Sequence, residues 1–215
     1  MIKTIFGDKI WINSFDTEYH NNYKNLFYSN INNNINTNTW EHCNVKSSFF
    51  NKEFVNNKMT IDFDNSLGDK IKDEFNKFIL KLSNENNVYI NITPKIQKLW
   101  YNNYTYKDNQ EIHHHIGKYS HMHADLYSFI YILHSVNNDD CASLFFHNHR
   151  SSLFSALKIN EIINIPDYQP FFKPNLNEGE IIIFPSHMEH YVSSHKDIYN
   201  DRISISGNIK CIINS

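Results

Sequence analysis

The hydrophobic pattern of the N-terminal part predicts two helices. From Ser14 to Asn30, aromatic residues recur every four positions, which favours a helix. From Asp64 to Asn84, apolar residues occupy one helical face and charged residues the other, so we expect an amphipathic helix that packs on a sheet. Residues 2–12 alternate loosely between apolar and polar and predict a strand. The Asn-rich segment 30–57 has little periodicity and predicts a loop.

The pattern changes to short strands after Asn87. Runs of β-branched and aromatic residues are separated by Asn, Asp, Pro or Gly, which is typical of strands and turns. The predicted strands are Val88–Thr93, Ile96–Tyr106, Leu126–Leu133, Ala142–Phe146, Gly179–Pro185, His190–Ser194 and Arg202–Ile213. Helices followed by a run of strands predict an α+β domain whose sheet part is a sandwich or a jelly-roll barrel.

No repeat or linker divides the chain, so we expect one domain over residues 1–215. In this interpretation residues 1–87 form a mainly helical support and residues 88–215 form the jelly-roll core. The chain of 215 residues is 40% hydrophobic and 15% aromatic, which is enough for a substantial core.

Charge and cysteine content exclude several classes of protein. The net charge of −3 and the pI of about 6.5 argue against a nucleic-acid-binding protein. The sequence contains no uncharged apolar run of membrane-spanning length and no secretion signal, so no membrane role is expected. Three widely spaced cysteines, Cys43, Cys141 and Cys211, indicate neither a disulfide framework nor a zinc–thiolate site. We therefore expect a soluble protein of a reducing cytoplasm, that of the host cell if the gene is viral.

A group of potential metal ligands directly precedes the apolar run of residues 126–133. In a strand, residues two apart lie about 6 to 7 Å apart on the same face, so His121, His123 and Asp125 would project to one side. A His-x-Asp pair completed by one remote histidine is the sequence form of a facial triad that binds Fe(II) and leaves coordination positions open. This segment is thus a candidate iron site.

A second block, residues 177–208, holds a candidate remote ligand and a candidate anion site. His190 follows His123 by 67 positions (190 − 123), a separation that lets a jelly roll bring the two together. Arg202 lies two residues before Ser204 in a strand-like run, so guanidinium and hydroxyl would share a face. Such a pair of donors suits a carboxylate bound inside an apolar barrel.

Four segments in this order resemble the 2-oxoglutarate/Fe(II)-dependent oxygenases, in particular small phage-borne proteins related to prolyl hydroxylases. The segments are His-x-His-x-x-Leu-Tyr-Ser-Phe-Ile-Tyr, Cys141-Ala-Ser-Leu-Phe-Phe, Gly-Glu-Ile-Ile-Ile-Phe-Pro-Ser-x-x-x-His-x-Val and Arg-Ile-Ser-Ile-Ser-Gly-Asn-Ile. The resemblance spans about residues 100–209. It implies a double-stranded β-helix, a cupin-like jelly roll, with the N-terminal helices packed on one sheet.

The resemblance also implies roles for particular residues. A His-x-(Asp or His) pair and a distal histidine would bind Fe(II), which assigns the metal to members of the set His121, His123, Asp125 and His190. An arginine on a late strand would bind the far carboxylate of 2-oxoglutarate, which assigns the co-substrate to Arg202, with Ser204 and the Tyr131 hydroxyl as further donors.

The choice of the ligand pair stays open at this point. His121, His123 and Asp125 compete for two ligand positions, and the histidine cluster His113 to His115 lies at the spacing from Trp100 where relatives would place their pair. The spacing His-x-Asp also recurs at residues 195–197, in a segment that we expect to be a solvated loop.

The implied activity is that of a dioxygenase that consumes 2-oxoglutarate and O2, hydroxylates a substrate and releases succinate and CO2. The relation to prolyl hydroxylases suggests a protein or peptide side chain as the substrate. Alternatives are a cupin-like metal-binding module, a jelly-roll binding or structural protein without oxygenase activity, and a zinc hydrolase with three histidines. The joint presence of a ligand pair, His190 and Arg202 favours the oxygenase, because none of these alternatives requires the arginine.

Overall fold

The structure is a computed structural model that describes residues 1–30, 43–48, 61–116 and 125–214. Two long helices, α1 (Thr17–Asn30) and α2 (Ile61–Asn86), precede most of the strands. Two short helices, α3 (Ser151–Ala156) and α4 (Ile159–Ile162), lie in a later connection. The strands are β1 (Ile2–Ile5), β2 (Asp8–Ser14), β3 (Lys46–Ser47), β4 (Ile92–Tyr104), β5 (Gln110–His113), β6 (Asp125–His134), β7 (Leu144–His147), β8 (Phe171–Phe172), β9 (Glu180–Pro185), β10 (His190–Val192) and β11 (Arg202–Ile213).

The strands form two antiparallel sheets. The large sheet has seven strands in the order β1-β2-β9-β6-β11-β4-β3, and the small sheet has four in the order β5-β10-β7-β8. Sequence neighbours such as β9 and β10 lie in different sheets, so the chain passes repeatedly from one sheet to the other. The result is a jelly-roll core within an α+β fold, as the sequence predicted.

Two apolar cores lie on the two faces of the large sheet. On the outer face, α1 and α2 pack against the sheet through fully buried side chains such as Phe75 and Phe78 of α2. Burial of one such side chain contributes about 2 to 3 kcal/mol. On the inner face, Ile130 and Phe184 meet Phe146 of the small sheet. This inner core is the interior of the barrel.

The alternation of side chains along β11 and β6 assigns residues to these two cores. Ile205 and its register partner Tyr131 face the helices, whereas Ser204 and its partner Ile132 face the barrel interior. A strand buried on both faces therefore still alternates, with an apolar helix-facing row and a more polar barrel-facing row on β11.

Most predicted elements agree with the structure, and the differences have simple causes. Residues 2–14 form a β1–β2 hairpin because Phe6 (φ 55°) and Gly7 (φ 91°) adopt the left-handed conformation that a tight two-residue turn requires. The two strands predicted between residues 88 and 106 are one strand, β4. Strand β5 was not predicted. Most of the predicted loop 30–57 lies outside the described residues, and the described part contains β3.

The N-terminal part contributes more than helices. Strand β2 pairs with β9, and β3 pairs with β4, so residues before position 88 complete both edges of the large sheet. Among the described helices, none is both long enough and apolar enough to cross a lipid bilayer.

Candidate metal and co-substrate site

Three histidines from neighbouring strands converge inside the barrel. His113 ends β5 and is the register partner of His190, which begins β10. The ring centroids of these two residues are 4.3 Å apart, and His115 lies 5.3 Å from His113 and 5.0 Å from His190. One nitrogen from each of the three rings lies within 4.8 Å of the others, a geometry that can hold a metal ion.

Strand geometry explains why His113 and His115 point to the same place. Residues two apart share a face of an extended segment, so His114 between them points away. His114 lines a separate cavity of about 210 Å³ on the other side, together with His147 and His187. The run of three histidines therefore contributes two side chains to the barrel interior and one to the outside.

Hydrogen bonds define the tautomer of each ring. Nδ1 of His113 lies 2.8 Å from the carbonyl oxygen of Glu111, and Nδ1 of His190 lies 2.9 Å from that of Met188. Nδ1 of His115 lies 2.9 Å from Oδ1 of Asn208. Carbonyl oxygens only accept hydrogen bonds, so each Nδ1 must donate. In a neutral ring with its proton on Nδ1, Nε2 is the nitrogen that carries the lone pair and can bind a metal.

Burial keeps the three rings neutral. Burial, and then repulsion from the other histidines, lowers the pKa of His190 well below its usual value. The same causes lower the pKa of His115 to about 4. Burial also lowers the pKa of His113. Neutral imidazoles can accept a metal at physiological pH without first losing protons.

A polar row on β11 continues from the histidines into the barrel. Arg202, Ser204 and Ser206 line the same interior pocket as the three histidines. Their register partners on β4 complete its wall, and these are Tyr104, Asn102 and Trp100. Without a ligand the free space between these side chains is only about 10 Å³, so the side chains must shift to admit a co-substrate.

Arg202 is a buried cation with unused hydrogen-bonding capacity. The side chain is 3% exposed, and its guanidinium lies over the ring of Tyr104, 5.2 Å from the centroid. Its Nη1 atom has no hydrogen-bond partner among the described residues. Burial lowers the pKa of Arg202, yet an arginine stays protonated in proteins. A buried, incompletely paired guanidinium calls for an anion, and a carboxylate matches its fork of donors.

The structure describes only part of the residue set that the sequence suggested for the metal. His121 and His123 lie outside the described residues. Asp125 begins β6, but its side chain also lies outside the described part. His190 lies in the three-histidine cluster. The other two members, His113 and His115, come from the histidine cluster that the sequence offered as the alternative position of the ligand pair.

Two expectations are wrong. Tyr131 does not reach the co-substrate pocket, because it lies on the helix-facing side of β6, where its hydroxyl is 2.6 Å from Nδ1 of His20. His195 and Asp197 are not solvated, although their segment is a loop: both are buried, and His195 accepts a hydrogen bond from the Ala142 N–H and contacts the Asn200 carbonyl. Both His195 nitrogens are therefore used within the protein.

Sequence reasoning missed several residues of the pocket wall. These are Asn102, Tyr104, Gln110 and Ser206. Alternation along β4 could have identified the group at positions 100, 102 and 104, but only if the pairing of β4 with β11 had been known.

Comparisons with known proteins identify a family for this chain. The model of a family described as "Putative 2OG-Fe(II) oxygenase" matches residues 98–208, which include the three histidines and Arg202. No curated protein sequence matches this chain.

Solved structures with the same fold share little sequence identity with this chain. A prolyl-4-hydroxylase from Pseudomonas putida has a TM-score of 0.58 at 9% identity, over 94% of this chain and 91% of that one. HygX from Streptomyces hygroscopicus, with nickel and 2-oxoglutarate bound, has a TM-score of 0.57 at 8% identity, over 94% and 82%. A viral collagen prolyl hydroxylase from Paramecium bursaria Chlorella virus-1, in complex with 2-oxoglutarate, has a TM-score of 0.51 at 10% identity, over 94% and 96%.

Proposed function

Because this chain belongs to the 2OG-Fe(II) oxygenase family, we propose that its three-histidine cluster and Arg202 form the active site of a 2-oxoglutarate-dependent dioxygenase. The cofactor is Fe(II), and the co-substrates are 2-oxoglutarate and O2. His113, His115 and His190 bind the metal in this proposal, and Arg202 and Ser204 bind the far carboxylate of 2-oxoglutarate.

The observation that carries the proposal is that three convergent imidazoles and a buried arginine line one pocket. Each imidazole donates from Nδ1 to a protein oxygen, so Nε2 is the nitrogen that can bind a metal. In the same pocket, the buried Arg202 has an Nη1 atom without a partner in the described chain. The three imidazoles can bind a metal, and Arg202 can bind a carboxylate. 2-Oxoglutarate would link the two, with its keto acid end on the iron and its far carboxylate on Arg202.

The residues of the chain position and shield the reactants. Bound iron and 2-oxoglutarate supply the oxidising chemistry, with succinate and CO2 as the co-products. Arg202 and Ser204 orient the co-substrate by charge-assisted and neutral hydrogen bonds. Ile130 and Val192 line the pocket and exclude water from it. Ser128 and Asn208 hold the His115 ring in place through Nδ1.

The proposed ligand set corresponds to the His-x-His alternative and not to the His-x-Asp alternative. Among the described residues, the cluster contains three imidazoles and no carboxylate, which is also the ligand set of some catalytic zinc sites. A zinc hydrolase has no use for a buried arginine beside the metal, so Arg202 favours the oxygenase. Asp125, whose side chain is not described, stays a candidate for a further ligand, as do His121 and His123.

We also propose that the substrate is a side chain of a protein or peptide. The support is the similarity of fold to two prolyl hydroxylases over more than nine tenths of this chain. Because fold alone does not determine a substrate, this part of the proposal needs its own assay. Incubation with proline-rich peptides under O2, followed by mass spectrometry, would show a gain of one oxygen atom on the peptide.

The main experiment measures iron and 2-oxoglutarate binding directly. Anaerobic addition of Fe(II) and 2-oxoglutarate should produce a weak visible charge-transfer band, and addition of O2 should produce succinate even without a substrate. Absence of both in metal-loaded protein, with zinc-dependent hydrolysis instead, would contradict the oxygenase function.

Alanine variants then identify the ligands. His113→Ala, His115→Ala and His190→Ala should each abolish stoichiometric iron binding, whereas His114→Ala, which removes the outward-pointing histidine, should keep it. The same measurement on His121→Ala, His123→Ala and Asp125→Ala shows whether any of these three residues also binds iron. Loss of iron only in this second series would contradict the three-histidine site.

A further inference from the structure

A larger cavity lies behind Arg202, on the side away from the histidines. It has a volume of about 530 Å³ and is bounded by the β6–β7 connection and by residues 173–178. Its lining includes Cys141, Lys173, Asn175 and Arg202. This rear cavity falls within the usual size range of small-molecule sites, about 300 to 1,000 Å³, whereas the interior pocket has almost no free space.

Among the described residues, Arg202 is the one that lines both the rear cavity and the interior pocket. On the interior side its guanidinium lies over the ring of Tyr104, and the lining of the rear cavity combines Arg202 with Cys141. The buried side chain thus forms part of the wall between the two spaces. Five N–H donors in a planar fork allow a guanidinium to bind anions on two sides.

The lining of the rear cavity contains one buried cation. Among the described residues, four charged ones line the cavity: the cations Lys173 and Arg202, and the anions Asp139 and Glu178. Lys173 and Asp139 are both exposed to solvent, which screens both charges. The Glu178 carboxylate pairs with Lys24 at 2.5 Å and contacts His134 at 2.9 Å. Arg202 is the buried charge of the four, and its Nη1 atom has no hydrogen-bond partner among the described residues.

We propose that the rear cavity is a second binding site, for a small molecule with several carboxylates, that shares Arg202 with the co-substrate pocket and weakens 2-oxoglutarate binding. The effect on 2-oxoglutarate binding rests on the proposed function, whereas binding of a ligand in the rear cavity does not. An anion at the rear face of Arg202 reduces the electrostatic gain of a second anion at the front face. By linkage, 2-oxoglutarate must weaken the rear ligand by the same factor, typically 5- to 150-fold.

Size separates the two ligands. The rear cavity accepts a molecule that the interior pocket cannot hold, and polar rim residues such as Asn137 and Asn175 offer further donors. A suitable probe is benzene-1,3,5-tricarboxylate, whose carboxylates are too far apart to chelate iron. The natural ligand would be a polycarboxylate of similar size.

Cys141 reports occupancy of the cavity without any activity assay. Cys141 lines the rear cavity and Cys43 does not, although both residues are buried, with 5% and 2% of their surface exposed, so Cys43 serves as an internal reference of similar burial. We expect benzene-1,3,5-tricarboxylate to slow alkylation of Cys141 by iodoacetamide in the iron-loaded protein, with no effect on Cys43. Peptide mass spectrometry measures both rates in one digest.

Two variants of the cavity test its link to the co-substrate. In anaerobic iron-loaded protein, the probe should raise the Kd of 2-oxoglutarate by at least about fivefold. Asn175→Trp, which fills the cavity, and Lys173→Gln, which removes a cation, should reduce this effect and leave the Kd of 2-oxoglutarate without the probe unchanged. Lys3→Gln removes an exposed lysine that does not line the cavity and should behave as the wild type.

Three results are decisive. Failure of the probe to protect Cys141 overturns the second site. Probe inhibition that persists fully in Asn175→Trp also overturns it, because the probe would then compete inside the barrel. Protection of Cys141 that Asn175→Trp removes, in a protein that binds no 2-oxoglutarate, supports the rear site and contradicts the proposed function instead.

Discussion

His113 and His190 are opposite each other on neighbouring strands of the small sheet, with their ring centroids 4.3 Å apart. These residues are 77 positions apart in the chain (190 − 113). The pairing of β5 with β10 brings the two rings together, and Nδ1 of each ring donates a hydrogen bond to the carbonyl oxygen two residues earlier in the chain. The metal site that we propose therefore depends on the register of two short strands.

Replacement of Arg202 by methionine should separate stability from co-substrate binding. The wild type buries a guanidinium with an unpartnered Nη1 atom, so an apolar side chain of similar length should keep or raise the melting temperature of the ligand-free protein. In the wild type, 2-oxoglutarate at 100 times its Kd should stabilise the iron-loaded protein by about 2.7 kcal/mol. Thermal unfolding with and without 2-oxoglutarate should show no such gain in Arg202→Met.

Arg150→Met is the matched control for that variant. Arg150 donates a hydrogen bond to the carbonyl oxygen of Phe6 at 2.6 Å and does not line the interior pocket. Arg150→Met should therefore be stabilised by 2-oxoglutarate as much as the wild type is. Equal stabilisation in Arg202→Met and the wild type would show that Arg202 does not bind the co-substrate.

Asn208→Ala should weaken iron binding without removing a ligand. The Oδ1 atom of Asn208 accepts a hydrogen bond from Nδ1 of His115 and so orients the ring. Loss of such a supporting group typically costs 10- to 100-fold in metal affinity. Competition with a chelator measures this change. Asn214→Ala, just beyond the end of β11, is the control, and equal iron affinities in the two variants would contradict a role for Asn208 in orienting His115.

Tyr131→Phe should affect stability and not co-substrate binding. The hydroxyl of Tyr131 lies 2.6 Å from Nδ1 of His20 under helix α1, and its removal should cost on the order of 1 kcal/mol. Urea unfolding measures the free energy of unfolding, and calorimetry measures the Kd of 2-oxoglutarate. A raised Kd with unchanged stability would restore Tyr131 to the co-substrate site.

Glu178→Gln should destabilise the protein at neutral pH and much less in acid. Burial raises the pKa of Glu178, but hydrogen bonds from Lys24, the Ser135 N–H and His134 outweigh it and lower the pKa to about 2. Because the folded-state pKa lies below the ordinary value of 4.5 for a glutamate, the carboxylate stabilises the fold fully above about pH 4.5 and loses this effect as the pH falls towards 2.

Urea unfolding at several pH values tests this dependence. At pH 7, Glu178→Gln should lower the free energy of unfolding by about 1 to 3 kcal/mol, and the difference from the wild type should shrink between pH 4.5 and 2. Glu85→Gln, an exposed residue at the end of α2, provides the control. A difference that stays constant over this range would mean that Glu178 does not contribute through its charge.

The elements with strong periodicity were predictable from the sequence. Strand β11 has the predicted bounds, and α1 and α2 agree with the predicted helices within a few residues. The reason is local: the apolar faces of these segments repeat with the period of one kind of secondary structure. The polar row of Arg202 and Ser204 followed from the same alternation, and both residues line the interior pocket.

Strand pairing was not predictable in the same way. Alternation along β6 and β11 shows which residues lie on the same face as Tyr131 or Arg202. It does not show which face contacts the helices, because both faces of the large sheet are buried. Strand β5 is only four residues long and polar, so its pattern is too short to stand out. Its role depends on its pairing with β10.

The sequence by itself determined the elements, the residues that share a face within each of them, and the set of groups capable of binding iron and a carboxylate. The tertiary structure decided that the histidines of β5 meet His190 and Arg202 in one pocket, that Tyr131 belongs to the helix layer, and that a second cavity lies behind Arg202. The physical reason is that the period of a strand acts over neighbouring residues. The meeting of distant strands depends on how two sheets and two helices bury their apolar faces together.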